Sequence, residues 1–275
     1  MAENRIDYDV IKRLLLAPDA DLTQPIATKL ITNTNSTRAP EGILELRGGI
    51  CPFYSQIPYN RERGLGCNHC DLPAYSAGKP VDAQLIMQQI DTGLAQLIGM
   101  EDGRDMKVFS MFNGGSGLNP QEIPKEALFY LLKKSRRYHD DGTLPKLERV
   151  SIETREGFVR RDYIDEIVNT ISPLKFEGAL GYESHNPDVR NGDTDNSNGR
   201  IGLNKHIRQV IFERAIHILG EAGADAKSYV MLGAVPWLRG EEKIQDVVWS
   251  EPHLVDSQLR ELLFKTSFSN SIGGL

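Results

Sequence analysis

The chain has 275 residues, a formal net charge of −6, 40% hydrophobic and 25% charged side chains. This is ordinary globular composition, sufficient for one sizeable core. The acidic balance disfavours nucleic acid as a partner, since backbone-phosphate binding usually shows as a basic domain. No apolar run approaches the roughly 18 residues of a membrane span.

Residues 1–41 read as a leader or cap, with a helix near 7–16 and then polar, turn-rich sequence (TNTNSTRAPEG). The leader's acidic residues and missing apolar core argue against a secretory signal, so a cytoplasmic location is the default expectation. The pattern then alternates. An apolar run at 42–49 has β character, and 81–100 carries apolar residues at helical spacing. A buried strand is predicted at 106–112 and a helix at 120–139, with Pro and Glu in its first turn. Strands follow at 147–153, 175–182 and 225–233, separated by helices at 158–171 and 203–222. A helix at 241–250 and a strand at 262–268 complete the pattern, and 251–275 form a C-terminal extension. The basic clusters Lys133, Lys134, Arg136, Arg137 and Arg160, Arg161 fall on predicted helices and read as solvated faces. The polar stretch 186–200 reads as a long loop.

Strands alternating with helices give a parallel sheet with crossover connections. Five or six β/α units fit the length and eight do not. The expected fold class is therefore α/β, an incomplete (β/α) barrel of about five to six parallel strands spanning 42–250. In such a fold the loops after the strands carry the chemistry.

The three cysteines, Cys51, Cys67 and Cys70, are spaced C-x15-C-x2-C after the first predicted strand of the 42–250 region. Their odd number argues against a secreted disulfide framework. Three thiolates are too few for a closed zinc site, which takes four ligands. They suit a [4Fe–4S] cluster with one iron left open, since ordinary clusters take four cysteines. The C-x2-C pair alone also fits zinc or redox chemistry, and His69 is a candidate fourth ligand. The next strand ends in FNGGSGLNP (112–120), where adjacent glycines let backbone approach a ligand closely.

With these motifs in order, the chain resembles the radical S-adenosylmethionine (SAM) enzymes. Within them it resembles the subgroup sharing a radical core with the elongator catalytic subunit and the archaeosine-synthesis radical proteins. The resemblance rests on the cysteines, FNGGSGLNPQEIP (112–124), SIETR (151–155), GALGYESHN (178–186), Asn204–Lys205 and AKSYVMLGAVPW (226–237). It implies that Cys51, Cys67 and Cys70 bind the cluster and that SAM occupies the open iron. It further implies that Asn113, Gly114, Gly115 and Ser116 contact the SAM amino group. Glu153 and Arg155 would line the site, and Glu183 and Ser184 would contact the ribose. Lys205 would meet the carboxylate, and Met231, Leu232 and Gly233 the adenine. The family's usual spacing is C-x3-C-x2-C, and fifteen residues separate the first two cysteines here.

Bland readings stand beside these. Glu153 and Arg155 share a strand face and also suit a structural ion pair, the less favoured reading. Lys205 would open the predicted helix as a surface lysine. Tyr182, Tyr229 and Trp237 suit core packing.

The expected activity is reductive SAM cleavage to a 5′-deoxyadenosyl radical, which abstracts hydrogen from a small-molecule substrate. A nucleoside, sugar or amino-acid-derived metabolite fits, with flavodoxin or ferredoxin as electron donor. The alternatives are tRNA or protein modification with a partner, a 3-amino-3-carboxypropyl radical, a non-catalytic zinc module, and an iron–sulfur electron carrier.

Overall fold

The computed structural model describes residues 21–31, 39–49, 51, 67, 77, 79–184, 187–191, 200, 201, 205, 207–230, 237 and 238. Strand β1 (Ala27–Ile31) pairs antiparallel with β2 (Glu41–Glu45). From β2 the pairing is parallel, through β3 (Val108–Phe112), β4 (Arg149–Thr154), β5 (Lys175–Glu183) and β7 (Asp225–Val230). The six-stranded sheet thus keeps chain order, β1-β2-β3-β4-β5-β7. A separate ladder joins β6 (Arg200–Ile201) to β8 (Trp237–Leu238). Among the described residues no helix is long and apolar enough to cross a membrane.

Chain-order neighbours with right-handed crossovers place every connecting helix on one face of the sheet. Helices α1 (Ala83–Gly99), α2 (Lys125–Asp140), α3 (Arg161–Ile171) and α5 (Gln209–Glu221) do pack side by side in that order. Helix α1 starts at Asp82, whose carboxylate accepts from Gln84 N at 2.8 Å, an N-cap. Its Ile86, Ile90, Leu94 and Leu97 form the buried stripe. Leu44 of β2 fills the notch at Gly93, where a Cβ would lie 2.2 Å from Leu44 Cδ1.

The other face of the sheet is polar. Strand alternation puts Glu41, Glu45, Ser110, Arg149, Ser151, Glu153, Glu177, Asp225 and Lys227 opposite the helices. Arg149 pairs with Glu177 and Asp225, each at 2.9 Å, and Ser151 donates to Glu177 at 2.8 Å. Lys227 on β7 reaches Glu41 on β2 at 3.6 Å, and the Phe112 and Tyr229 ring centroids lie 6.3 Å apart. Phe112 and Tyr229 sit three strand positions apart, about 14 Å in a flat sheet. The sheet is therefore strongly curved, with its polar face concave.

Several expectations change. The segment read as leader contains β1, so the sheet begins before residue 42. Helix α2 begins at Lys125, because residues 116–123 form the turns that precede the Pro124 cap. Helix α3 begins at Arg161 after a 3₁₀ turn at Glu156–Phe158. The 186–200 loop holds a short helix, α4 (Pro187–Asn191). Helix α5 begins at Gln209, so Lys205 lies four residues before it. Lys134 is not a solvated residue: its side chain is 11% exposed and pairs with Asp91 on α1. The predicted elements at 7–16, 241–250 and 262–268 lie outside the described residues.

Candidate functional site

The carboxyl ends of the parallel strands gather the candidates, which is where open α/β sheets place ligands. After β2 the chain runs through Gly48 and Gly49 to Cys51. After β3 comes Asn113-Gly114-Gly115-Ser116. Arg155 follows β4, and Glu183 and Ser184 close β5.

The glycine loop is organised by a residue that its motif did not single out. Glu122 is fully buried. Its Oε2 accepts from Ser116 N at 2.8 Å and Asn113 Nδ2 at 3.3 Å, and its Oε1 from Asn119 Nδ2 at 2.8 Å. Burial pushes this carboxyl up, against the pull of Asn119, Ser116, Asn113 and the Arg155 charge. Gly115 is packed on the same carboxylate and lies beside Cys51: its Cβ would fall 1.7 Å from Glu122 Oε2 and 3.3 Å from Cys51 Cβ. Gly49 N donates to the Glu122 carbonyl at 2.8 Å, which brings the cysteine-bearing segment to the same point. Gly114 adopts φ +74°, a left-handed conformation natural to glycine.

Beside this loop, Ser116 Oγ and Thr154 Oγ1 lie 2.6 Å apart, and Arg155 N donates to Ser116 Oγ at 3.1 Å. Arg155 Nη2 donates to the Lys205 carbonyl at 2.8 Å. Lys205 Nζ donates to Glu183 Oε1 at 2.7 Å. Glu183 has φ +65°, and the pairing of β5 with β7 shifts register between Gly181 and Glu183. Such irregularities re-aim a side chain, and a non-glycine residue in this conformation costs roughly 1–2 kcal/mol. The carboxylate and ammonium close over Gly181, whose Cβ would lie 2.8 Å from each. Burial alone would lower Lys205, but the Cys67 and Glu183 charges outweigh it and hold the ammonium above its ordinary value. Cys67 is thereby placed within electrostatic reach of Lys205. This lysine is a part-buried member of an ion pair, not a surface helix-start residue.

Glu153 has its Oε2 buried without a hydrogen-bond partner among the described residues. Burial chiefly pushes its carboxyl up to about 7; Lys205 opposes, while Glu183, Glu122 and Glu45 reinforce. Asn113 Oδ1 is likewise buried without a partner among the described residues. Arg190, 2% exposed, was missed from sequence: it donates to the Ser184 carbonyl at 2.7 Å and the Ile207 carbonyl at 3.1 Å. It lies 4.5 Å from the Tyr182 ring centroid, and Tyr182 stacks on Phe212 at 4.1 Å, as core packing anticipates.

Two groupings result: Cys51 with the glycine loop, and Cys67 with Lys205 and Glu183. Cys67 is a free thiol. Among the described residues no three His, Cys, Asp or Glu side chains are arranged to hold a metal ion. Cys70, His69, Asn204, Met231, Leu232 and Gly233 lie outside the described residues, as does the side chain of Trp237. The donor chemistry fits the implied groups: cysteine sulfurs suit iron, and two acceptor oxygens without partners among the described residues suit a cationic ligand such as an ammonium.

No family model matches the chain. It is 27% identical over 187 residues to an uncharacterized protein of Methanocaldococcus jannaschii, covering 67% of this chain and 46% of that one. It is 24% identical over 199 residues to the archaeosine synthase subunit beta of Thermococcus kodakarensis, covering 71% and 56%. The Methanosarcina acetivorans protein of the same name is 24% identical over 185 residues, covering 67% and 48%. The likeness is distant. The chain spans about half the length of the curated relatives it matches.

Proposed function

We propose that this protein is a radical SAM enzyme built on an incomplete (β/α) barrel, with Cys51, Cys67 and Cys70 holding a [4Fe–4S] cluster. The observation that carries the reading is the packing of the glycine loop against Cys51 at the carboxyl end of the sheet. Chain-order strands and the curved, polar-faced sheet support the partial barrel. When bound, the cluster and SAM supply one-electron cleavage and a 5′-deoxyadenosyl radical for hydrogen abstraction.

The chain's own residues bind and orient. The 113–116 loop and Glu153 offer acceptors to the ammonium of SAM. The Lys205–Glu183 pair and Ser184 present charge and hydroxyl at the end of β5 for its carboxylate and ribose. Buried Arg190 ties β5 to the 205–207 segment, so these groups move as one body. Phe112 and Tyr229 wall the concave face and exclude water there.

The substrate is a small molecule, and the name archaeosine synthase borne by two relatives favours a nucleoside among the candidates. The word subunit in those names favours a second reading, modification of tRNA with a partner chain. Flavodoxin or ferredoxin would deliver the electron. A cytoplasmic location accords with oxygen-sensitive iron chemistry.

The test is anaerobic reconstitution with iron and sulfide, followed by electron paramagnetic resonance of the reduced protein with and without SAM. A [4Fe–4S]⁺ signal that shifts on SAM addition is expected. A colourless zinc protein, or a cluster indifferent to SAM, would replace this reading with the zinc-module or electron-carrier one.

A further inference from the structure

We propose that Glu122 is the positioning residue of the site: its carboxylate orients the Asn113 amide so that an acceptor oxygen is the group left for the ligand's ammonium. This rests on the reading of the site as a SAM site and adds a positioning residue, Glu122, that the reading does not contain.

Donors and acceptors are unevenly spent around Glu122. An ionised carboxylate only accepts. Ser116 N, Asn113 Nδ2 and Asn119 Nδ2 all donate to it. Three donors of one loop are therefore drawn toward a single buried anion. Asn113 spends its NH₂ on Glu122, and its Oδ1 is left buried with no partner. An amide's oxygen and nitrogen are told apart by such a network, and here Glu122 is the network's fixed point. Buried acceptors are ordinarily satisfied, so an orphaned Oδ1 held in this way calls for a donor that the described residues do not supply. Glu153 Oε2 is a second orphaned acceptor of the site. Two buried acceptors left without a hydrogen-bond partner among the described residues suit an N–H-rich cation.

A turn anchor alone would not need a charge, because burying a carboxylate costs several kcal/mol and a neutral amide caps turns. Glutamine in this place would set its NH₂ either against Asn119 Nδ2 or, turned over, against Ser116 N and Asn113 Nδ2. The carbonyl of the same residue accepts from Gly49 N, and Gly115, packed on the carboxylate, lies against Cys51. Glu122 thus sets the glycine loop and the cysteine-bearing segment from one point.

The experiment compares wild type, E122Q and N113A by amide hydrogen exchange and by equilibrium binding of SAM to the reconstituted protein. In E122Q, exchange of the 113–117 amides should rise about tenfold or more, with β3 and β4 unchanged, and the dissociation constant for SAM should rise about tenfold or more. N113A should weaken SAM to a similar degree while the Ser116 amide stays protected, which separates the acceptor from its anchor. Wild-type exchange and wild-type affinity in E122Q would overturn the proposal, as would unchanged affinity in N113A. If E122Q does not fold, the affinity of N113A for SAM decides between the same two outcomes. If the wild type binds no SAM, the SAM reading fails by itself, and the ammonium role of Asn113 is overturned with it.

Discussion

Gly115 has no room for a side chain because Glu122 occupies the space: a Cβ on Gly115 would fall 1.7 Å from Glu122 Oε2. The glycine loop is thus shaped from inside the protein as well as by any ligand approaching from outside. Gly115→Ala should displace the carboxylate, break its bond to Ser116 N and destabilise the fold by about 1–3 kcal/mol. Urea unfolding measures the loss, and SAM affinity should fall with it. A Gly115→Ala protein with unchanged stability would show that the loop tolerates a methyl group and that Glu122 is not fixed.

The Glu183–Lys205 pair is largely buried, with side-chain exposures of 11% and 14%. Removing one partner leaves an uncompensated charge. Lys205→Met should cost on the order of 3 kcal/mol. Glu183 also strains the backbone, at φ +65°. Glu183→Gly should therefore be less destabilising than Glu183→Ala by about 1 kcal/mol, since glycine adopts that conformation freely. Equal stabilities of the two variants would show that no strain is stored there.

Glu153 makes stability depend on pH. Its folded carboxyl titrates at about 7, above its ordinary value of 4.5. The folded state holds the proton more tightly than the unfolded chain. The contribution is thus fully present below about pH 4.5 and is lost as pH rises through 7. Between pH 4.5 and 8 the loss is on the order of 3 kcal/mol. Glu153→Gln stays neutral throughout and should flatten this part of the profile in guanidinium unfolding measured from pH 5 to 8. An unchanged slope would assign the pH dependence to other groups.

Arg149 holds Glu177 and Asp225 on the concave face. Arg149→Met should leave both carboxylates without their cation and cost about 3 kcal/mol or more. Restoring stability by adding Glu177→Gln and Asp225→Asn would identify charge, rather than lost packing, as the cause.

Cys70→Ala should abolish cluster assembly, read as iron and sulfide per chain, while circular dichroism stays that of the wild type. Full iron content in this variant would show that Cys70 is not a ligand.

Much of this was legible along the chain. The strands at 108–112, 149–154 and 175–183 and the helices at 83–99, 125–140 and 161–171 follow from apolar periodicity, which each segment carries within itself. The crowding of candidate residues at the strand ends follows from the alternation of elements. What sequence could not place depends on chain return and on curvature. β1 looks like leader because its stability comes from an antiparallel partner ten or more residues on. Glu122 reads as a first-turn acid of the helix predicted at 120–139 until the loop folds back and brings its donors onto it. Lys205 meets Glu183 across 22 residues because a register shift turns that glutamate. Phe112 faces Tyr229, and Lys227 reaches Glu41, because twist accumulated over several strands bends the sheet. Local periodicity is a property of consecutive residues. The polarity of the site is a property of which buried donors and acceptors are left unpaired once the whole sheet has folded.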